Sequence, residues 1–521
     1  MKRYILIPIL LLAPCSLSLL QAQDTYMNER LTNSSNDVIG TARYVGMGGA
    51  LGALGADMSV ISWNPAGIGL YRKNDIALTM GGLWGKSSIK EENRGKFTFD
   101  QAGFVYNMKT GSETCPYVNF AFNYQKKVNF NHNFYALNDN LGGLSQMDQV
   151  AELTYWDSGT ENLAGLAIDR DFLNYDFDSE GNKYFYNYYA SYNNKYTHHS
   201  EGSAQSFDFN ISTNVNDRAF LGLTVGVDNM RFRELTCYEE FGDADYALSR
   251  NCKITGTGVN VKLGTIIRPF ENNPFRFGFV VETPTWYRLR NSTWFDFGHD
   301  INENTALRSY LKFNVRTPWK VRTSIGSTVG STFAWDVDYE YAAYAGMNIG
   351  YPELEYADGS TSGNVKDVAM NEFTRDILRG THTLRIGTEI NATKNLAFRL
   401  GYNLSTSPYK KNIGFDQYNI DSRAMNYATG TNYMRLGNTN ILTLGAGYHA
   451  KKFYVDLAYK IRNQKADFYA FDTRFTDEVY GDPVFLDNAR TSAPELINAT
   501  IDPVDVNLTR HTITCTLGFK F

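Results

Sequence analysis

Three acidic residues, Asp336, Asp338 and Glu340, stand two positions apart and so share one face of an extended segment. Paired carboxylates do general acid–base work when their surroundings split their protonation states. No Gly-x-Ser-x-Gly element accompanies them, and the seven histidines supply no convincing partner for a nucleophilic serine. The residues favour an electrostatic role for this ladder, as luminal charges that pair with arginines such as Arg385 and Arg399. His198 and His199 are adjacent, so an extended chain points them apart, and no metal site is expected there. Cys115, Cys237, Cys252 and Cys515 show no Cys-x-x-Cys spacing, which excludes the usual zinc arrangements. A hairpin symmetric about residues 244–245 sets Cys237 opposite Cys252. A disulfide between them is expected to stiffen the outer end of that hairpin by roughly a few kcal/mol. Gly46-Met47-Gly48-Gly49 has the outline of a dinucleotide loop, but it lacks the strand–turn–helix frame and a P-loop Lys-Ser/Thr. No catalytic residue, cofactor or metal is expected, and the chain is read as a non-enzyme.

The elements that position these residues follow from composition. The chain has 521 residues, 43% of them apolar, and a formal net charge of −5, too mild to mark a nucleic-acid partner. Mean hydropathy is −0.37. No stretch after residue 22 approaches the ~20 consecutive apolar residues of a spanning helix. Aromatic residues nevertheless reach 14%, with 35 Tyr and 33 Phe. An aromatic excess without long apolar runs favours a membrane barrel, which places such rings in two interfacial girdles. At the N-terminus, Lys2 and Arg3 precede an apolar stretch from Ile5 to Ala13, and Leu20-Gln21-Ala22 resembles a cleavage site. Residues 1–22 therefore read as a secretory signal peptide. Export leads to an oxidising compartment, which permits the disulfide.

Period-two alternation recurs along most of the chain. Ile513, Cys515, Leu517, Phe519 and Phe521 fall on one face, with Thr512, Thr514, Thr516 and Lys520 on the other. Phe453, Val455, Leu457, Tyr459 and Ile461 alternate likewise with Tyr454, Asp456, Ala458, Lys460 and Arg462. Strands are expected near 75–84, 97–108, 116–127, 203–214, 219–235, 253–268, 275–290, 307–326, 332–344, 379–391, 396–406, 437–449, 452–463 and 508–521. Short connections alternate with long ones, among them 128–202, 345–378, 407–436 and 464–507. Short turns on one side and long external loops on the other are the layout of an outer-membrane barrel of about 14 strands. Pro318 interrupts 307–326, which reads as one kinked strand. Phe521, at the end of the last expected strand, is expected to serve as the terminal aromatic by which many outer-membrane barrels present themselves to the assembly machinery.

Residues 23–72 do not alternate. They carry a small-residue stretch from Gly46 to Ala56, then Asn64-Pro65-Ala66-Gly67. Such a segment suits a compact plug inside a lumen. Thr41-Ala42-Arg43-Tyr44-Val45-Gly46-Met47-Gly48-Gly49-Ala50, Ala56-Asp57-Met58-Ser59 and Asn64-Pro65-Ala66-Gly67-Ile68 resemble the N-terminal hatch of the FadL family, in the variant found in FadL-like proteins of Bacteroidetes. That family comprises outer-membrane transporters of long-chain fatty acids and aromatic hydrocarbons. The resemblance implies an all-β fold, a 14-stranded antiparallel transmembrane barrel spanning 73–521 with the hatch, 23–72, inside it. It implies passive transport of a hydrophobic small molecule, captured outside, passed to a pocket against the hatch and released sideways through the wall. It marks Arg43, Gly48, Gly49, Asn64, Pro65, Ala66 and Gly67 as hatch residues. Asn64, Pro65 and Ala66 are expected to anchor the hatch to the wall, and Arg43 to pair with Asp336, Asp338 or Glu340, or else to remain a solvated luminal charge. The implied partners are a hydrophobic ligand, outer-membrane lipid and lipopolysaccharide, and the assembly machinery; a monomer is expected and no nucleic acid.

Two other readings stay open. The 128–202 stretch holds Tyr184, Phe185, Tyr186, Tyr188, Tyr189 and Tyr192. Such loops suit a surface binding or adhesion protein; the family resemblance also admits a haem-related receptor on the same barrel, with no dedicated haem motif in the sequence. A hydrophilic porin is disfavoured because the hatch blocks the lumen.

Overall fold

The computed structural model describes residues 37–85, 95–156, 163–177, 181, 183–301, 306–356, 359–410, 429–471 and 501–521. The signal-peptide reading of residues 1–22 lies outside the described residues. Antiparallel pairing closes 14 strands into a barrel. In chain order they are β1 (Asp75–Gly85), β2 (Lys96–Lys109), β3 (Tyr117–Asn129), β4 (Ser191–Val215), β5 (Ala219–Gly242) and β6 (Tyr246–Ile267). Strand β7 comes in two pieces, Arg276–Glu282 and Trp286–Phe297, as does β8, Leu307–Arg316 and Lys320–Val329. Then follow β9 (Phe333–Ala342), β10 (Thr381–Asn391), β11 (Leu396–Ser405), β12 (Tyr433–His449), β13 (Phe453–Tyr469) and β14 (Arg510–Lys520). The seam joins β1 to β14 from Asp75 opposite Lys520 to Gly85 opposite Arg510. Just beyond it, Phe521 and Asn74 exchange two backbone hydrogen bonds of 3.1 Å.

Alternation sets what each face carries. On β5, Leu221, Leu223, Val225 and Val227 face out and stay exposed, while Phe220, Thr224 and Asp228 are buried inside. The opposite wall repeats this, with Leu442, Leu444, Leu457 and Leu517 outside and Thr443, Asp456, Lys460 and Thr516 inside. A band of apolar side chains thus girdles a polar interior.

Turns of a few residues, such as 216–218, 330–332 and 450–452, close the lower end. At the upper end the strands run beyond their expected limits. Strands β5 and β6 extend to Gly242 and from Tyr246, leaving 243–245 as their turn. This moves the hairpin centre and corrects the disulfide expectation. Cys237 lies opposite Ser249, and Cys252 opposite Glu234. The two cysteines then fall on opposite faces of the wall, and no disulfide joins them.

The 128–202 stretch is also more ordered than its composition suggests. Residues His132–Asn138 pair with the upper part of β4. Two helices, α2 (Gln146–Trp156) and α3 (Leu163–Asp169), follow a short α1 (Ala42–Gly46) described below. Leu144, Met147, Val150 and Leu163 join Tyr238 and Leu248 in one apolar cluster over the lumen.

Proline explains the two broken strands. Pro284 and Pro318 lack the N–H that a ladder needs. The pairing of β7 with β8 stops at Glu282 opposite Lys320 and resumes at Trp286 opposite Arg316. Across the gap, Thr317 N donates to Thr285 O at 3.1 Å, and Thr285 N donates to Thr317 Oγ1 at 2.8 Å. Here β8 also changes partner: its lower piece pairs with β9, its upper piece with residues Asn348–Tyr351. The expected kink at Pro318 is thus matched by a second at Pro284 on the neighbouring strand.

Candidate functional site

Residues 37–72 lie inside the barrel, and local signals fold them. Thr41 caps α1 by accepting from Tyr44 N, and Asp57 and Asn64 cap the 3-10 turns Met58–Ser62 and Pro65–Leu70. Pro65 takes the first position of its turn, where no N–H is needed. Val38, Met47, Leu51, Met58, Ile61, Trp63 and Ile68 form the segment's own apolar cluster.

The wall grips this segment from every side. The carboxylate of Asp336 accepts from Ala53 N (3.0 Å) and Leu54 N (2.8 Å). Asp338 accepts from Gly52 N (3.1 Å) and from the Trp63 indole at 2.7 Å. The acid ladder is therefore luminal, as expected, but Asp336 and Asp338 hold backbone and indole N–H groups in place of arginines. Glu340 does pair with an arginine, Arg322 at 2.6 Å, which also reaches Glu282 at 2.5 Å. Arg385 donates to Tyr44 Oη at 2.7 Å and to Gly49 O. The guanidiniums of Arg385 and Arg322 lie 3.5 and 4.3 Å from the centre of the Trp63 ring, a strong cation–π arrangement when water is excluded.

Arg43 finds a different partner from the one expected. It pairs with Glu389 at 2.9 Å, and Arg399 binds the same carboxylate at 2.6 Å and Asp456 at 2.5 Å. Arg43 lines the cavity at the lower mouth, and Glu389 stands on β10 opposite Ala334, one row below Asp336. At the segment's beginning, Asp37 binds Lys460 at 2.6 Å and Arg510. Burial works against the Asp37 carboxylate, but these cations outweigh it and hold its pKa well below the usual range.

Asn64 caps its turn and donates to Gly52 O at 2.6 Å and, across to the wall, to Thr265 O at 3.3 Å. Pro65 and Ala66 lie against Gly222, where a Cβ would sit 2.3 Å from Pro65 C. Gly48 adopts φ +65°, and a Cβ on the facing Gly401 would sit 2.1 Å from Gly48 N. Sequence reading missed these wall glycines, along with Trp63, Glu389 and Arg322. The signal lay in glycines at inward positions of otherwise regular strands, where close approach of another backbone is the usual reason.

Cavities flank the segment. Below it, a space of about 740 Å³ opens to the lower mouth beside Arg43, Glu389 and Lys520. Above it lie two smaller spaces. One of about 110 Å³ is polar and reaches from Trp63 and Arg322 to Thr285, Thr317 and Pro318 at the kink. The other, about 120 Å³, is lined by Phe130, Phe134, Tyr196, Phe232, Tyr433 and Phe468, with Asp37 and Arg462 also at its wall. Arg462 is buried, and its Nε has no hydrogen-bond partner among the described residues.

A closed 14-stranded barrel of this kind has counterparts among solved structures. The crystal structure of a Pseudomonas aeruginosa FadL homologue aligns over 93% of this chain and 99% of its own, at 11% identity and a TM-score of 0.53. This chain has the FadL-type barrel fold. The P. putida toluene transporter TodX and the CymD monoaromatic hydrocarbon channel each align over 93% of the chain, at 10% and 9% identity and TM-scores of 0.48. No protein-family model and no curated sequence matches the chain. His198 binds Glu234 at 3.1 Å and stacks on Phe134 at the wall of the aromatic pocket. Phe521 directly follows the closing strand, and its role in assembly stays an expectation.

Proposed function

We propose that this protein is a passive outer-membrane conduit for hydrophobic molecules, with residues 23–72 as its hatch. The observation that carries the reading is the aromatic pocket directly above the lumen segment. Its volume of about 120 Å³ is near that of apolar cavities of ~150 Å³ that bind benzene. A single aromatic ring or the end of an acyl chain fits, and a longer molecule requires the pocket to widen. The unpartnered Nε of Arg462 at its wall favours an anionic head such as a carboxylate, which a guanidinium binds strongly. Apolar burial at about 25 cal/mol per Å² supplies the driving force, without a motor.

The exit in this reading is the double kink. The polar cavity beside the segment touches Thr285, Thr317 and Pro318, where the ladder is replaced by two hydrogen bonds. Trp286 and Trp319 flank it on the exposed outer face. The two cavities share Asp37, Val128 and Phe130 in their walls, and a displacement of these side chains joins them and lets cargo leave sideways into lipid.

The test uses the full chain in liposomes, with cysteines at 285 and 317 (Thr285→Cys with Thr317→Cys) and a fluorescent fatty acid and toluene as cargo. Oxidation is expected to slow uptake about tenfold or more, with recovery on reduction. Equal uptake in both redox states refutes the lateral exit; no uptake above empty liposomes by the unaltered protein refutes the conduit. A second reading, surface recognition, rests on Tyr188, Tyr189 and Tyr192, which are exposed at the upper tip. Glycan bound there with no cargo in the lumen favours it.

A further inference from the structure

One wide cavity lies on the outside of the barrel. A groove of about 1020 Å³ runs between the outer wall of β5–β8 and the short hairpin of Leu354–Glu355 and Thr361–Ser362. Six cations line it: Arg231, Arg233, Lys253, Arg288, Arg290 and Lys312. The strand registers gather them. Arg233 lies opposite Lys253, Arg231 opposite Thr255, Thr255 opposite Arg290, and Arg290 opposite Lys312. Arg288 lies one row lower, opposite Thr257. Rows two residues apart on strands ~4.8 Å apart confine all six to a patch roughly 15–20 Å across.

Compensation is sparse. Glu201 approaches Arg233 at 3.8 Å, and Glu355 binds Lys312. Arg231, Lys253, Arg288 and Arg290 have no ion pair among the described residues. In the next row down the outer wall turns apolar: Val227 lies opposite Val259, and Val259 opposite Trp286. The cations therefore sit at the upper rim of the apolar band, on the side of the long connections. Like charges this close repel one another, and they gain most from a polyanion whose other end is apolar. Guanidinium forks match phosphate oxygens in particular.

We propose that this groove binds the phosphorylated headgroup of an outer-leaflet glycolipid, with its acyl chains against Val227, Val259 and Trp286. The site rests on the membrane-barrel reading above and is independent of what passes through the lumen.

The experiment uses the full chain in detergent, read by native mass spectrometry and tryptophan fluorescence. The probes are bisphosphorylated lipid A, its phosphate-free counterpart and inorganic pyrophosphate. The bisphosphorylated lipid is expected to bind at least about tenfold more tightly than the phosphate-free one, with pyrophosphate a poor competitor. The variant Arg231→Gln/Arg288→Gln/Arg290→Gln is expected to lose about tenfold in affinity, and the matching Arg→Lys variant to keep most of it. Heat-modifiable gel mobility reports folding, and Lys253→Gln alone, expected to weaken binding about threefold, serves where the triple variant does not fold. Equal binding of the two lipids, or undiminished binding by the folded glutamine variants, overturns the site. Displacement of the lipid by equimolar pyrophosphate shows a soluble-anion site and overturns the lipid assignment. Cargo uptake by the glutamine variants separates this outcome from failure of the conduit reading, because every altered side chain faces outward.

Discussion

Trp63 is the side chain on which most of the luminal contacts converge. Its indole N–H binds Asp338, and its ring lies between two guanidiniums that are themselves tied to Glu282, Glu340, Tyr44 and Gly49. Trp63→Ala removes the ring and leaves Asp338 short of a donor, so a local loss of about 3–5 kcal/mol is expected. Hydrogen exchange over residues 37–72 is the check: faster exchange there, with the strand amides unchanged, is the expected result, and undisturbed protection counts against the role. The sequence displayed the acid ladder plainly, because alternation alone fixes which way Asp336, Asp338 and Glu340 point. Their partners were hidden. A carboxylate meeting backbone N–H groups of a segment nearly 300 positions away leaves no trace in its neighbours. The choice of Glu389 for Arg43 likewise depends on which side of the segment faces down.

Strands were the most legible elements. Each expected stretch corresponds to a strand, because an apolar outer face and a polar inner face impose the same two-residue period throughout. Strand ends were less visible, since above the apolar band alternation no longer separates lipid from lumen. That is why the β5–β6 hairpin runs longer than expected and why Cys237 and Cys252 do not meet. The Pro318 kink was readable, but its partner at Pro284 was not, because only the register reveals that the two lie side by side. The wall glycines were equally silent. Gly401→Val places side-chain atoms where Gly48 N lies 2.1 Å from a built Cβ. The barrel is expected to fold and to retain its heat-modifiable mobility, while the segment is displaced. Planar-bilayer recordings are expected to show ion conductance raised several-fold, whereas an unchanged closed state indicates that the segment tolerates the shift.

Taken whole, the molecule is a cylinder with a separate small core in its lumen and another beneath its upper loops. The barrel's own pairing is continuous without the luminal core. Deleting residues 37–72 from the otherwise complete chain is therefore expected to leave a closed barrel that conducts ions steadily. Retained strand content by circular dichroism, together with open-channel current, is the expected pair of results; collapse of the barrel shows instead that the lumen core is needed for closure. The outline of this architecture could be read from strand count and the small-residue segment. The helices α2 and α3 could not, because a Tyr- and Asn-rich stretch has no period of its own and folds only against the ends of β4–β6.

The seam between β1 and β14 also bears on how the polypeptide reaches this state. Ala42 N donates to Thr516 Oγ1 at 2.7 Å across 474 positions. The contact needs β14 in place, so it completes only once the seam has formed. The contact that ties the lumen segment to the seam is thus a late event. Contacts of such long range make that event slow, so maturation is paced by a step that involves both ends of the chain at once.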